Sequence, residues 1–336
     1  MGPPLATATI HRPDTAFNSP PLTGSQSRSD NHGGGGLAAG RKDDADGALF
    51  GPEPLCRRQR RSLGGAGWPV KLLIRPDADS AAETVAVLVS AQLRGKPDSV
   101  LGLATGRTME RVYAALVREH RRGRLGFAGA TSFNLDEYVG IAPEDPRSYR
   151  AFMDAHLFRH VDLPPHRRHL PDGMATDHAA EGARYEALIR AAGGIDLQLL
   201  GIGGTGHIGF NEPLSSFASR TRAVVLAPRT RQQNRGDFGG DADAVPPRAI
   251  TMGVATIGES RRAVLLATGS AKAEILALAV EGPITASISA TALQMHPDCL
   301  VIADEDAAGR LRGRSYYDHL ARHDPELAML SGDAGG

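Results

Sequence analysis

Short, uniformly apolar segments alternate with longer amphipathic ones from residue 70 to residue 305. The apolar segments show no polar face, which is typical of parallel strands covered by helices on both sides. The spacing predicts strands over 70–75, 99–105, 130–138, 195–203, 222–227, 262–269 and 299–305, and helices over 80–96, 109–124, 148–161, 178–194 and 270–282. This order of elements predicts an α/β fold, with a doubly wound, mostly parallel, Rossmann-like sheet and helices on both faces.

The apolar pattern is missing at both ends of the chain. Residues 1–68 are rich in Gly, Pro, Ser, Arg and Asp without a regular period, so they cannot bury enough apolar surface to offset their chain entropy. We expect 1–68 to be a disordered, low-complexity arm, 69–327 to be the functional domain and 328–336 to be a flexible tail.

The composition argues against several classes of protein. Lys plus Arg and Asp plus Glu both number 38, so the net charge is zero and gives no electrostatic reason to bind nucleic acid. No apolar run approaches the length of a membrane span. Cys56 and Cys299 are too few for a disulfide framework or a thiolate zinc site. We therefore expect a cytoplasmic protein with reduced thiols and with neither a nucleic-acid nor a membrane partner.

Polar residues follow four of the predicted strands, and doubly wound sheets bind their ligands at such strand ends. Thr105, Gly106, Arg107 and Thr108 lie between a strand and a helix, which fits either a phosphate site at the helix start or an ordinary turn. Lys272 lies in the first turn of a later helix, where a cation is unfavourable unless an anion is bound. A solvated lysine is the alternative.

The other two strand ends carry acids and a histidine. Asp136 and Glu137 end the strand in "FNLDEY" and point to opposite sides, so one is a candidate general base, unless these acids cap a helix or form salt bridges. His207 has glycines on both sides in "GIGGTGHIGFNEP", so its ring can reach a ligand, and Glu212 can orient it or share its proton. The set fits a phosphosugar. No HxH, HExxH or GxSxG spacing occurs, so neither a metal cage nor a serine nucleophile is predicted.

A series of motifs gives the chain a family resemblance over residues 70–325. "LGLATGRT", "FNLDEYVG", "SYRAFM", "GIGGTGHIGFNEP", "SRTR", "GSAKA", "VEGP" and "LQMHPDCLVIADE" occur in the order seen in the glucosamine/galactosamine-6-phosphate isomerase family, which includes glucosamine-6-phosphate deaminases. The resemblance implies an enzyme of amino-sugar catabolism that converts an amino-sugar 6-phosphate to a ketose 6-phosphate and ammonia. It also implies that no metal or organic cofactor is used, that the protein is a homo-oligomer, and that the 148–161 helix is a lid.

The resemblance also assigns roles to residues of this chain. Asp136 would take the C2 proton of the sugar, and His207, supported by Glu212, would open the sugar ring. Contacts with the phosphate and the rest of the substrate would come from Thr105, Gly106, Arg107, Thr108, Gly203, Arg235 and Lys272.

Three positions depart from the family pattern. Thr205 stands where most members have Asp or Asn, and a hydroxyl can orient the histidine ring but supplies no charge. Arg235 lies one place earlier than the family's phosphate arginine. Val224 replaces a lysine of the allosterically activated relatives, which argues against effector control. Two alternatives to a glucosamine-6-phosphate deaminase therefore stay open: an enzyme for galactosamine 6-phosphate or another aldose phosphate, and a sensor that binds a phosphosugar without turnover.

Overall fold

Ten strands and ten α-helices make up the described part of the chain. The computed structural model describes residues 70–331. The strands are β1 Lys71–Arg75, β2 Val100–Leu103, β3 Thr131–Asn134, β4 Asp136–Tyr138, β5 Arg168–His169, β6 Leu197–Gly201, β7 Arg222–Val225, β8 Arg248–Thr251, β9 Ala263–Ala267 and β10 Cys299–Asp304. The helices are α1 Ala78–Gly95, α2 Arg107–Arg121, α3 Tyr149–Met153, α4 His178–Ala191, α5 Pro228–Asn234, α6 Val254–Gly258, α7 Ala273–Glu281, α8 Glu305–Ala308, α9 Arg314–His323 and α10 Pro325–Ser331.

The central sheet has seven strands in the order β1–β10–β9–β6–β2–β3–β5, and each neighbouring pair is parallel. Every residue of β2, β9 and β10 is buried, which requires cover on both faces of the sheet. The predicted α/β fold with a mostly parallel sheet is confirmed. Among residues 70–331, no helix has both the length and the apolarity that a membrane crossing requires.

A second, antiparallel sheet of three strands, in the order β4–β8–β7, lies beside the first. The segment predicted as one strand over 130–138 forms two strands, β3 in the central sheet and β4 in this smaller sheet. The amide of Leu135 donates to Leu103 of β2, while the carbonyl of Leu135 accepts from Met252, just after β8. Leu135 therefore links the two sheets, and Asp136 starts the smaller one. The strand predicted over 222–227 also belongs to this smaller sheet.

Other boundaries differ from the predicted ones. The helix predicted over 148–161 is α-helical only in α3 and then widens into a π-helical turn at Asp154–Phe158. The helix α1 begins earlier than predicted because the Asp77 side chain accepts from the amide of Ser80 at 2.7 Å and caps its first turn. The helix α10 crosses the domain boundary predicted at 327. The predicted arm, 1–68, and residues 332–336 lie outside the described residues.

Candidate active site

Four neighbouring strands of the central sheet bring the predicted polar residues to one edge. The strands β9, β6, β2 and β3 are adjacent and parallel, so their carboxyl ends meet at the same side. Lys272 follows β9, the 203–212 loop follows β6, the 105–108 turn follows β2, and Asp136 follows β3. The structure therefore gathers on one edge residues that are up to 167 positions apart in the chain.

The backbone after β6 folds into a tight turn that carries His207. The Gly203 amide donates to the His207 carbonyl at 2.9 Å, and the Gly206 amide donates to the Gly203 carbonyl at 3.0 Å. Gly206 has φ +78°, a value that L side chains rarely adopt. The imidazole lies directly on Gly203, where an added Cβ would sit 1.9 Å from His207 Nε2. Glycine at 203 is therefore what makes room for the ring.

Two polar side chains hold the Nδ1 side of the His207 ring. Thr205 Oγ1 lies 2.8 Å from His207 Nδ1, and Glu212 Oε2 lies 3.6 Å from the same nitrogen, beyond hydrogen-bond distance. A carboxylate on this side favours a proton on Nδ1. His207 Nε2 is then the nitrogen whose lone pair is available to a bound molecule.

Glu212 is held as a carboxylate. Burial opposes its ionisation, but its contacts with His207, Thr230 and the Ala227 amide outweigh burial, and the pKa of Glu212 lies below its usual value. The Ala227 amide donates to Glu212 Oε1 at 3.0 Å. The negative charge beside Nδ1 is therefore present at neutral pH.

Asp136 is a buried carboxyl group next to the histidine loop. An added Cβ on Gly209, two residues after His207, would lie 3.5 Å from Asp136 Oδ2. Burial, with the charge of Glu137 as a second cause, raises the pKa of Asp136 to about 8. A carboxyl group with this pKa can exchange a proton near neutral pH, as a general base or acid must.

Glu137 points the other way and holds the start of α3. Its Oε1 accepts from the amides of Tyr138 at 2.9 Å and Tyr149 at 3.0 Å, and its Oε2 accepts from the amide of Arg150 at 3.0 Å. Of the two acids in "DEY", Glu137 is thus the one that caps a helix. No motif singled out Glu137 for this contact, because its partners lie 12 and 13 residues further along the chain.

Positive charge lies at the start of α2 and near the end of β6. Gly106, with φ +104°, precedes α2 and offers no side-chain cap, and Arg107 is the first residue of the helix. Lys272 Nζ donates to the Ile202 carbonyl at 2.7 Å. Burial, followed by the charge of Arg107, lowers the pKa of Lys272. An anion between these two cations would relieve their repulsion.

The remaining residues predicted to contact the substrate differ in their exposure to solvent. Thr105 and Thr108, beside Gly106, are partly buried. Arg235 is exposed, and its side chain makes neither a hydrogen bond nor an ion pair with another residue in 70–331. Its segment reaches the loop after β6 through Gln233, whose Oε1 accepts from the Gly204 amide at 3.0 Å. No sequence motif distinguishes Gln233 from the other polar residues of α5, so its contact could not be predicted from the sequence.

Within the described range, His, Cys, Asp and Glu side chains do not gather in a group of three or more that could hold a metal ion. The candidate site thus consists of one carboxyl group, one histidine with an acidic and a hydroxyl neighbour, and two cations.

Comparison with known proteins places the chain in a family. Residues 77–301 match the family model described as glucosamine-6-phosphate isomerases/6-phosphogluconolactonase. The chain belongs to this family. It is 49% identical over 238 residues to a glucosamine-6-phosphate deaminase of Geobacillus sp. (strain WCH70), covering 71% of this chain and 94% of that protein. It is 50% identical over 246 residues to a glucosamine-6-phosphate deaminase of Rhodopirellula baltica, covering 73% and 98%.

Solved structures give the same result at the level of the fold. A monomeric glucosamine-6-phosphate deaminase superposes with a TM-score of 0.70 at 43% identity, over 72% of this chain and all of that one. The 6-phosphogluconolactonase of Trypanosoma cruzi superposes with a TM-score of 0.60 at 18% identity, over 74% of this chain and 98% of that one. At 18% identity, the likeness to the 6-phosphogluconolactonase shows a shared fold only.

Proposed function

We propose that this family member converts glucosamine 6-phosphate and water to fructose 6-phosphate and ammonia. The observation that carries the proposal is the position of buried Asp136 beside the His207 loop, at the strand edge that also carries Arg107 and Lys272. This arrangement offers one proton acceptor for a carbon acid, one group for ring opening and positive charge for a phosphate. The sequence identity of about one half to deaminases supports the same reaction.

The phosphate binds first in this scheme. The free amides at the start of α2, Arg107 and Lys272 provide hydrogen-bond donors and positive charge for a phosphate dianion. Thr105 and Thr108 add hydroxyl groups beside the same helix start. The phosphate thus anchors the sugar so that its other end extends toward His207 and Asp136.

Ring opening uses His207. Its Nε2 takes the proton of the anomeric hydroxyl and returns a proton to the ring oxygen, so that the open-chain aldehyde forms. The positive charge that the ring carries in between is stabilised by the carboxylate of Glu212, while Thr205 fixes the orientation of the ring.

Isomerisation uses Asp136. Its carboxylate removes the proton from C2 while the aldehyde oxygen O1 takes up a proton, which gives the enolamine. C1 is then protonated and the amino group loses a proton, which gives an imine at C2. Water adds to the imine carbon, and ammonia leaves to yield the ketose. Because Asp136 must be deprotonated to act as the base and its pKa is about 8, kcat/KM should rise with pH through this region.

Ammonia release from the full chain tests the proposal directly. Glucosamine 6-phosphate and galactosamine 6-phosphate are offered side by side, and ammonia and ketose phosphate are both measured. Release from the first sugar supports the proposal, and preferential release from the second would assign the enzyme to the other epimer. Binding of both sugars without ammonia would identify a phosphosugar sensor.

Lys272→Ala should raise KM for the phosphorylated sugar about ten- to a hundredfold. The substitution removes one charge-assisted contact, and such contacts contribute about 1.5–3 kcal/mol. The measurement compares the binding of glucosamine 6-phosphate with that of glucosamine, which lacks the phosphate. If both ligands weaken equally, Lys272 does not contact the phosphate.

Thr205→Asp should speed conversion of the cyclic sugar about fivefold and move the pH optimum upward. The Thr205 hydroxyl lies 2.8 Å from His207 Nδ1, and a carboxylate in its place would stabilise the imidazolium by about 1 kcal/mol more than the hydroxyl does. Enolisation of the open sugar, measured as exchange at C2, should change little because that step depends on Asp136. Thr205→Val is the control and should slow ring opening. Slower turnover of Thr205→Asp with an unmoved pH profile would contradict the assigned role of Thr205.

Glu137→Gln should move the rising limb of the pH profile of kcat/KM to lower pH. The charge of Glu137 contributes to the raised pKa of Asp136, so its removal lowers that pKa and deprotonates the base at lower pH. A loss of helix capping alone would reduce the rate without moving the limb. Glu144→Gln, which changes an exposed acid in the loop before α3, is the matched control and should leave the limb in place.

Three further predictions concern assembly, lid and location. The homo-oligomer stays a prediction, and one related deaminase of solved structure is described as monomeric, so light scattering of the purified protein decides this point. The cytoplasmic location also stays a prediction. The lid role of 148–161 stays a prediction as well, and this segment contains α3 and the π-helical turn after it.

A further inference from the structure

A cavity of about 500 Å³ lies between α2, from Glu110 to its C-terminal end, and the segment of the π-helical turn and His160, and none of its lining residues belongs to the candidate active site. Its walls carry three arginines and two histidines: Arg118, Arg121, Arg122, His156 and His160. Glu110 is the one carboxylate among the residues that line it. We call this cavity the basic pocket. Its wall is rich in hydrogen-bond donors and poor in acids.

Arg121 is the least compensated of these cations. It has no carboxylate partner among residues 70–331, and its polar contact runs from Nη2 to His160 Nδ1 at 3.4 Å. His160 Nε2 lies 2.8 Å from the Ala155 carbonyl, so Nε2 carries the hydrogen and Nδ1 faces the arginine as an acceptor. Arg121 therefore contacts a neutral imidazole, and its positive charge is not neutralised by an acid among residues 70–331.

The neighbouring arginines are only partly neutralised. Arg122 lies 3.4 Å from Glu119, but that carboxylate is held more closely by Arg124, at 2.6 Å and 2.8 Å. Arg118 pairs with Glu83 of α1. The guanidinium groups of Arg121 and Arg122 are therefore available to an anion in the pocket.

The opposite wall is an irregular helix. The chain widens into a π-helical turn over Asp154–Phe158, and such turns occur frequently at functional sites. The turn supplies Ala155 and His156 to the pocket wall. The His156 ring packs on Phe152 with a centroid distance of 4.4 Å, and it makes no hydrogen bond with another residue of the described range. His156 therefore offers a further donor to a bound molecule.

We propose that the basic pocket binds a small polyanion, a metabolite with several phosphate or carboxylate groups. Arginine forks match the oxygens of both groups. The volume falls within the range of small-molecule sites and exceeds what a single phosphate ion fills. A concave pocket on a chain of zero net charge suits a small ligand better than a nucleic acid, which needs an extended basic surface.

One wall of the pocket belongs to α2, which starts at the candidate active site, and the other follows α3, which starts beside Glu137, the neighbour of Asp136. The helix α2 begins at Arg107, and α3, whose first amides are held by Glu137, runs directly into the π-helical turn. A polyanion in the pocket therefore contacts α2, which begins with Arg107, and the turn that follows α3, whose first amides are bonded to Glu137 next to Asp136. We expect binding to change KM for the sugar phosphate, and this part of the proposal rests on the proposed function.

Calorimetric titration of the full chain tests the binding itself. Pyrophosphate and citrate are the probes, at constant ionic strength, with the unsubstituted protein and with Lys272→Ala to separate the pocket from the active site. We expect a site that persists in Lys272→Ala and weakens at least tenfold in the double variant Arg121→Ala/Arg122→Ala. Arg111→Ala is the matched control, since Arg111 lies on the same helix but pairs with Asp79 outside the pocket.

The two probes also distinguish the ligand class. Binding of pyrophosphate alone indicates a phosphate ester, binding of citrate alone a polycarboxylate, and binding of both a site that recognises charge. The proposal is overturned if neither probe binds, if binding is lost in Lys272→Ala, or if Arg111→Ala weakens it as much as the double variant does. Because titration needs no turnover, failure here is distinct from failure of the ammonia assay.

Discussion

Asp136→Asn should reduce turnover about 10²- to 10⁴-fold, the range that general base catalysis contributes, while sugar-phosphate binding stays nearly unchanged. The amide keeps the shape of the side chain and removes the proton acceptor. Because Asn does not titrate, any residual activity should also lose the rise with pH that the Asp136 pKa of about 8 produces in the original protein.

Exchange of the C2 hydrogen with solvent isolates the step that Asp136 performs. Deuterium uptake at C2 of the recovered glucosamine 6-phosphate and at C1 of the ketose product should disappear in Asp136→Asn, and calorimetry should show that glucosamine 6-phosphate still binds. Asp98→Asn, at a largely exposed carboxylate, is the matched control and should exchange normally. Exchange that survives in Asp136→Asn would mean that another group is the base.

Gly203→Ala should lower kcat about a hundredfold or more, although only one methyl group is added. The new Cβ would lie 1.9 Å from His207 Nε2, far inside van der Waals contact, so the imidazole must move from its place. A displacement of about 1 Å is enough to cost about 10²-fold in rate. The affinity for the phosphate should fall much less, because Lys272 and Arg107 remain.

Gly201→Ala gives a matched control two residues away. A Cβ at 201 has no heavy atom within 4 Å, so this substitution should leave kcat within a few-fold of the original. Thermal unfolding of both variants separates a local displacement from a loss of fold. Equal activities of Gly203→Ala and Gly201→Ala would show that the position of His207 against residue 203 is not required for catalysis.

The sequence alone predicted the fold and the composition of the candidate site. Apolar strands without a polar face, alternating with amphipathic helices, leave few arrangements other than a covered parallel sheet. The carboxyl ends of the strands in such a sheet lie together, so the sequence predicts that Asp136, His207 and Lys272 lie at the same edge. The fold could be predicted because periodicity and motif spacing are local properties of the chain, and the roles of the site residues stay predictions.

The tertiary structure decided which partner each group has. The segment 130–138 reads as one strand, but Leu135 bonds to Leu103 and Met252 and thereby divides it between two sheets. Glu137 differs from its neighbour Asp136 because the amides of α3 reach its carboxylate. The basic pocket likewise exists only where α2 meets the π-helical turn. Each of these contacts joins segments far apart in sequence, and packing of the whole domain, rather than local periodicity, determines which segments meet.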